Sequence, residues 1–487
     1  ARSTHEDAVA PDVEALIEEA RDRQRRRRRR LAALSVAAAV LTATAFAALR
    51  LTSAGRPAVE NVPGGPMVNI AAFAHHGELA FISRNTLWVL DGARRSLRRI
   101  PTAPGQYPLQ PAFSFDGDWI AWVQTASPPD TVAGGGDSRG QLWLARGDGR
   151  DAHSVDGLAN ATLLGWSPNT DVLAVAAGPI SARVPYGAQT TVRLVAPDGS
   201  VRELLRARDV RGGVWSPDGR RVAVVLENPR LVDTLTVYPV SGGAPTVWQR
   251  FRPKDRLDGM RQILVDPAGW WRGLGIGLWI FGDGMVHNND ETPLDLVAAP
   301  GATPQFLAET LSDQTTHVVA ARSGTLAVVA DVSHGFNGGR VVWDEKQLQT
   351  CTRSTTCRPV VVSASKVTLD PAWSPNGHTL AFVEAPDLSA SGWSQTVLER
   401  WYGRHVLRLL DLRTRRVQTI AAARGATVPS WSPDGKSILY VAGDGIWLLP
   451  TLAAKPIEIA APLFQPTHWP SYYGQMAWPA QFAWSDS

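Results

Sequence analysis

Hydrophobic and polar positions after Arg50 alternate in short runs, and clusters of Gly, Pro, Asp and Asn separate the runs. Representative runs are WIAWV (Trp119–Val123), VAVVL (Val222–Leu226), LAFVE (Leu380–Glu384) and ILYVA (Ile438–Ala442). Each is followed by a second β-rich run, and several by a third. Short strands joined by turns at regular spacing indicate an all-β chain, with no amphipathic helix of ordinary length expected after Arg50.

A five-residue motif recurs between these runs. WSPDG occurs at Trp215–Gly219 and Trp431–Gly435, and close copies begin at Trp373 (WSPNG) and Trp166 (WSPNT). The residue types suit a corner: Trp fills the space between sheets, Pro presets φ, Asp or Asn bonds its own backbone, and Gly adopts positive φ. The positions predicted to have this structural role are Trp166, Trp215, Asp218, Gly219, Trp373, Gly377, Trp431, Asp434 and Gly435.

The spacing of the motif predicts the architecture. Counting degenerate copies at Phe73 and Phe113 and a terminal one at Trp484, the intervals are 40, 53, 49, 158, 58 and 53 residues. Because 158 is close to three times 53, two further copies are expected at LVDPAGWW (Leu264–Trp271) and VAARSGTLAVVA (Val319–Ala330). A period of this size predicts a β-propeller of seven or eight four-stranded blades, with eight favoured and the Trp484 strand closing the ring.

The repeats WSPDGRRVAVV, WSPNGHTLAFVE and WSPDGKSILYVAGDGIWLLP resemble those of TolB-type β-propellers, and the same motif occurs in the propeller domains of prolyl-oligopeptidase-like peptidases. The resemblance implies a periplasmic platform that docks envelope proteins. TolB-type proteins have a cleaved signal and a separate N-terminal domain, whereas this chain has more units and no room for a folded domain between Arg50 and Phe73.

The N-terminal residues predict a membrane anchor. RDRQRRRRRR (21–30) precedes nineteen uncharged, mostly apolar residues (31–49), long enough for one transmembrane helix. The Arg run keeps residues 1–30 cytoplasmic, so a linker (50–68) and the propeller (69–487) are expected outside the cytoplasm of a single-pass protein in the cell membrane. The alternative is a signal peptide cleaved near AFA (45–47), which would release the propeller as a secreted protein.

Charge argues against a nucleic-acid partner. The net charge is +4, but residues 1–30 hold nine Arg against seven Asp and Glu, and Arg50 adds another positive charge. The rest of the chain is therefore almost neutral, whereas nucleic-acid-binding domains concentrate basic charge.

The two cysteines, Cys351 and Cys357, are predicted to form a local disulfide, as expected in an oxidising compartment. A metal pair is the alternative, but no second Cys or His pair lies nearby to complete four ligands.

Motifs for catalysis are lacking in the sequence. There is no H-E-x-x-H, and SFDGDW (Ser114–Trp119) departs from the sialidase Asp box because its Asp and Gly are adjacent. The three GDG segments suit hairpins better than calcium loops, and His75–His76 suits an exposed turn. No catalytic, cofactor or metal residue is predicted. The rival hypothesis is a glycan or lactone hydrolase with acidic residues in the central channel.

Four insertions are the candidate binding elements: 127–140, 177–189, 331–357 and 385–405. Apart from the end of the third, all follow the first β run of a unit, so they should emerge on one face of the ring. Their aromatic residues Tyr186, Trp393, Trp401 and Tyr402, if exposed, suit an envelope protein or glycan, although packing of the insertions is an alternative role. The sequence therefore favours a non-catalytic binding platform.

Overall fold

The structure is a computed structural model that describes residues 60–61, 64–126, 139–178, 189–208, 210–228, 232–251, 263–282, 292–310, 318–331, 346–352, 357–360, 365–388, 395–463 and 480–485. The predicted membrane span, residues 31–49, lies outside these ranges. Within them, no helix is both long and apolar enough to cross a bilayer.

The described strands form eight four-stranded antiparallel blades, so the preference for eight is confirmed. Strands are labelled here in chain order. Blades 1 to 4 are β34 (Phe482–Ser485), β3 (Glu78–Ser83), β4 (Thr86–Asp91) and β5 (Ser96–Arg99); β6 (Tyr107–Phe113), β7 (Trp119–Thr125), β8 (Gln141–Arg146) and β9 (His153–Ser154); β10 (Ala161–Trp166), β11 (Leu173–Ala177), β12 (Gln189–Val195) and β13 (Val201–Arg208); and β14 (Val210–Trp215), β15 (Arg221–Glu227), β16 (Asp233–Pro239) and β17 (Thr246–Phe251).

Blades 5 to 8 continue the order from the innermost strand outwards. They are β18 (Ile263–Trp271), β19 (Gly275–Gly282), β20 (Thr292–Val297) and β21 (Gln305–Thr310); β22 (Val318–Ala320), β23 (Leu326–Asp331), β24 (Lys346–Cys351) and β25 (Cys357–Pro359); β26 (Lys366–Trp373), β27 (Thr379–Pro386), β28 (Val406–Asp411) and β29 (Val417–Arg424); and β30 (Thr427–Trp431), β31 (Ile438–Ala442), β32 (Gly445–Leu449) and β33 (Ile457–Ala461). Blades 5 and 6 are also joined by the backbone pair Thr310–Ala330.

Both degenerate repeats are confirmed as blades. LVDPAGWW lies in the innermost strand of blade 5, and VAARSGTLAVVA supplies the first two strands of blade 6. Ring closure is confirmed too, because β34 pairs with β3 through Phe482–Phe81 and its neighbours. The last described strand is thus the innermost strand of the first blade.

Two short strands precede blade 1 along the chain. β1 (Glu60–Asn61) pairs with β2 (Met67–Val68), and β2 pairs with the outer edge of blade 8, opposite Ala461. The propeller therefore includes residues ahead of the boundary expected at residue 69. β2 and β1 extend the antiparallel sheet of blade 8, and β2 covers part of the edge of β33.

The WSPDG motif forms the corner between the first two strands of a blade. In blade 8, Ser432 Oγ donates to Asp434 Oδ1 at 2.6 Å and accepts the Ser437 N–H at 2.9 Å, while Asp434 Oδ1 accepts the Lys436 N–H at 3.0 Å. Gly435 closes the turn at φ +72°, which residues with a Cβ rarely adopt. The same Ser–Asx arrangement recurs at Ser114, Ser216 and Ser374.

The motif Trp also bonds to neighbouring backbone, which in blades 3, 4, 7 and 8 belongs to the blade before it. The indole N–H of Trp431 donates to the Ala372 carbonyl at 3.1 Å, and Ala372 directly precedes the motif Trp of blade 7. The same bond runs from Trp166, Trp215, Trp373 and Trp484 to the carbonyls of Ala112, Gly165, Val319 and His76, at 2.6 to 3.1 Å. Each ring thereby satisfies its only donor where two blades meet.

Apolar residues from neighbouring blades share one core at each boundary. Between blades 6 and 7, for example, Val329 and Leu348 pack in one buried cluster with Leu369, Phe382 and Leu410. Because a four-stranded sheet has apolar residues on both faces, every blade needs two neighbours, and a closed ring supplies both.

Candidate functional site

Strand direction divides the connections between two faces of the ring. On one face, here called the motif face, the connections within blades have between three and seven residues, and the nine-residue connection 69–77 leads from β2 into blade 1. Seven connections of nine or more residues open on the opposite face, here called the loop face. They are residues 126–140, 178–188, 252–262, 283–291, 332–345, 387–405 and 462–481. The four insertions therefore open on one face as predicted, apart from the turn before Cys357.

Connection 387–405 carries the helix α1 (Gln395–Tyr402). It is eight residues long, which is shorter than an amphipathic helix of ordinary length. Trp401, near its end, is 3% exposed, belongs to the core between blades 6 and 7, and donates its indole N–H to the Pro386 carbonyl at 2.6 Å. Of the two roles left open for Trp401, partner binding and packing of the insertion, the structure therefore favours packing, because its ring anchors the helix.

Tyr402 and His405 extend this anchor. The His405 ring lies 4.3 Å from the Trp401 ring and 5.1 Å from the Tyr402 ring. Burial raises the pKa of the Tyr402 phenol, and Asp370 adds to the rise. Burial also lowers the pKa of His405 to about 4, so its imidazole is neutral at pH 7, with Nδ1 3.3 Å from the Ala426 carbonyl. This aromatic group is built for packing.

Tyr186 and Trp393 lie outside the described residues. Of the four aromatic residues predicted to bind a partner, the structure therefore describes Trp401 and Tyr402, which it brings together beside blade 7. Tyr402 is partly exposed at the loop face, next to the exposed helix residues Thr396 and Glu399.

The central channel is formed by the innermost strands, whose sequences before each corner include QPAF, LLGW, GGVW, PAW and PSW. Several of these strands contain a β-bulge, and in blades 2, 7 and 8 its residue has positive φ: Gln110 (+55°), Asp370 (+49°) and Val428 (+41°). Asp370 Oδ2 accepts the Val428 N–H at 3.0 Å and so joins blade 7 to blade 8.

Four charged side chains meet at the loop-face ends of blades 4 and 5. Arg211 pairs with Glu227, and the two side chains are only 4% and 1% exposed. Asp233 is fully buried, and its Oδ2 accepts the Val265 N–H of blade 5 at 2.7 Å. Asp266 is partly exposed, but its Oδ1 is buried. We call this group the charged cluster.

The environment of the charged cluster favours protonation of its aspartates. Burial raises the pKa of Asp233 to about 7 and that of Asp266 to about 6, against the opposing effect of Arg211. The Oδ1 atoms of Asp233 and Asp266 have no hydrogen-bond partner in the described part of the chain. Since one guanidinium cannot neutralise three carboxylates, holding a proton here lowers the electrostatic cost of burial.

Sequence reasoning missed the charged cluster, although one signal was available. Asp266 in LVDPAGWW and Asp370 in VTLDPAW both stand directly before a Pro in an innermost strand. Arg211, Glu227 and Asp233 belong to a single blade and have no counterpart in the repeat, so the repeat pattern conceals them.

The predicted disulfide is present between Cys351 and Cys357, the paired ends of β24 and β25. Among the described residues, no three His, Cys, Asp or Glu side chains are arranged to hold a metal ion.

Comparison with known proteins finds similarity at the level of structure. No family model and no curated protein sequence matches the chain. Solved structures similar to it include a eukaryotic initiation factor (12% identity, TM-score 0.47, 83% of this chain and 90% of that one). A prolyl endopeptidase is also similar (12%, 0.43, 77%), and the matched part is 56% of its length. TolB from Acinetobacter baumannii is a third (12%, 0.33, 72% and 81%). At these values the likeness concerns the fold alone.

Proposed function

We propose that this chain is a membrane-anchored, extracytoplasmic β-propeller of the TolB type that binds an envelope protein or a glycan through its loop face and catalyses no reaction. The observation that carries this proposal is that seven of the eight connections longer than seven residues between described strands open on one face. Variable connections held on a rigid scaffold are the usual carriers of recognition.

The rigidity of the scaffold supports the proposal. Four indole N–H bonds join consecutive blades, a fifth closes blade 1, and the carboxylates of Asp233 and Asp370 join two more strand pairs near the loop face. A ring fixed at both faces can present long connections without changing shape, which reduces the entropy lost on binding. The Cys351–Cys357 disulfide agrees with an oxidising compartment outside the cytoplasm.

The charged cluster favours a second candidate, a propeller hydrolase acting on a glycan or lactone. Two aspartates with raised pKa beside a third carboxylate are common in catalytic sites. Against this candidate, Glu227 contacts Arg211, and Asp233 accepts a backbone N–H from the next blade. Both contacts have a structural role, and both side chains are shielded from solvent.

The test uses the tagged full chain in its membrane, with photo-crosslinking and identification of captured partners. Tyr186→Ala and Trp393→Ala are expected to reduce capture at least about tenfold, the effect of losing an interface anchor. Phe115→Ala is the matched control, because Phe115 is an exposed aromatic residue (53%) on the motif face. Equal capture by all variants would contradict the proposal, as would glycan or lactone hydrolysis that Asp233→Asn abolishes.

A further inference from the structure

The motif face carries an uneven distribution of charge. In blades 6, 7, 8 and 1 the described turns of this face contain eight Arg and Lys residues and a single carboxylate, Asp434. The turns of blades 2 to 5 contain three Arg and seven Asp. One half of the face is therefore strongly positive and the other negative, so the two partly offset each other in the net charge. We call the positive part the basic half-face.

The cations of the basic half-face are exposed, and some of them are paired. Arg94 pairs with Asp91 and Asp148 and Lys436 pairs with Asp434, although 60% and 78% of their side chains remain accessible to solvent. Within the described residues, Arg95, Arg413 and Arg416 have no carboxylate within ion-pair distance. Because like charges that face solvent without partners repel one another, their grouping favours an anionic ligand.

The first described strands of the chain lie in the same sector of the ring. β1 pairs with β2, and β2 pairs with β33 at the outer edge of blade 8. Blade 8 also carries Lys436 and Lys455 of the basic half-face.

We propose that the basic half-face docks on the surface of a bilayer that contains anionic phospholipids. A row of turns at one level offers several cations to a flat surface at once, and each adds to the attraction to anionic lipids. The acidic half is repelled by the same surface, so the ring is oriented by its own charge. The inference rests on the proposed function and deepens it. With the motif face on the membrane, the loop face points away from the bilayer, towards a partner.

The test measures flotation of fragment 58–487 with lipid vesicles. The fragment contains all eight blades and the closing pair of strands, so it has every contact that completes the ring. We expect binding to vesicles with about 30% phosphatidylglycerol at low salt, none to neutral phosphatidylcholine vesicles, and loss of binding in about 0.5 M NaCl. No binding to the anionic vesicles at low salt overturns the inference.

Charge reversal locates the surface. The triple variant Arg95→Glu, Arg413→Glu and Arg416→Glu is expected to lower vesicle binding at least about tenfold, and the same three changes to Lys are expected to retain it. The matched control replaces Arg150, Arg220 and Arg272, exposed residues in the other half, by Glu, so that its net charge equals that of the first triple variant. It is expected to bind vesicles within about twofold of the parent. All variants are compared by thermal unfolding.

Two outcomes contradict the inference. One is an equal loss in both triple variants, which would indicate attraction by net charge. The other is tighter binding to a soluble polyanion such as heparin than to anionic vesicles, which would indicate a polymer ligand. Because the capture experiment with Tyr186→Ala and Trp393→Ala concerns the opposite face, failure of the proposed function and failure of this inference are distinguishable.

Discussion

Aspartates on the two faces of the ring have opposite properties. On the motif face, hydrogen bonds from Ser432 and the Lys436 N–H lower the pKa of Asp434 to about 2, so this carboxylate is charged and exposed. On the loop face, burial raises the pKa of Asp233 to about 7. An aspartate is therefore ionised in a repeated turn on the motif face, whereas on the loop face an aspartate is buried and more readily protonated. Repeated residues build the scaffold, and single residues distinguish its faces.

The largest difference between the faces is expected on removing one cation from each. Arg211→Ala leaves Glu227 buried without its partner and should lower the free energy of unfolding by about 3–5 kcal/mol. The matched change, Arg221→Ala, affects an exposed pair with Asp218 at 3.9 Å and should cost less than about 1 kcal/mol. Urea unfolding measures both. Equal losses would mean that the charged cluster is no more critical than a surface pair.

The motif Trp provides the next test, because packing and hydrogen bonding can be separated there. Trp431→Ala should cost about 3 kcal/mol, since a buried aromatic ring is lost between blades 7 and 8. Trp431→Phe keeps most of the ring and removes the bond to the Ala372 carbonyl, so about 1 kcal/mol is expected. If Phe were as damaging as Ala in thermal unfolding, the indole N–H bond would dominate the boundary.

Two copies of the same Gly should respond differently to substitution. Gly219 and Gly435 both have positive φ, +63° and +72°, so Ala is strained at either position, by about 1 kcal/mol. At Gly219 a Cβ would also lie 2.0 Å from Asn169 Oδ1, whereas at Gly435 its nearest neighbour, Pro375 Cδ, is 3.5 Å away.

Gly219→Ala should therefore cost about 1 kcal/mol more than Gly435→Ala, because Asn169 must give up its bond to the Asp218 carbonyl. Denaturant unfolding of the two variants gives the difference. Identical values would show that blade 3 yields to the added methyl group without cost.

A change of pH distinguishes the two aspartates. The pKa of Asp233 is higher in the folded protein than its ordinary value of 3.8, so the stability it contributes is complete below about pH 4 and is lost as the pH rises through about 7. Asp233→Asn does not titrate and retains an oxygen for the Val265 N–H. It should equal the parent near pH 4 and exceed it by up to about 4 kcal/mol at pH 8, because each pKa unit corresponds to about 1.4 kcal/mol.

Asp434→Asn is the matched control with the opposite sign. Its carboxylate has a lowered pKa, so its contribution is present above about pH 4 and is lost as the pH falls towards 2. The variant should therefore be slightly less stable than the parent at pH 8. Thermal unfolding between pH 4 and pH 8 tests both variants, and a shift of the same sign in each would contradict the comparison.

The fold could be predicted from the sequence because its determinants are local and repeated. A corner motif sets the direction of the chain within a few residues, and seven copies reveal degenerate ones such as LVDPAGWW by spacing alone. The charged cluster could not be predicted in this way. Arg211 and Asp266 lie in different blades, and their proximity depends on how two blades pack, which no local pattern records.

The candidate site was also hard to predict, because the sequence does not show which aromatic residues are buried. Aromatic residues in a long connection suit a binding surface, but the sequence does not say which face of a short helix meets the sheet. α1 lies with Trp401 against blade 7, so the residue chosen for binding became part of the core. Composition identifies which residues have affinity for surfaces, and only packing determines which surface they contact.

Closure of the ring has a consequence for how the chain is made. The indole of Trp484 bonds to the His76 carbonyl across 408 residues of sequence, so the first blade stays incomplete until the last strand has been synthesised. Pairings so distant in sequence form slowly, and until then an open edge of β3 is exposed to other chains. The nascent protein therefore needs protection from aggregation until β34 has been synthesised.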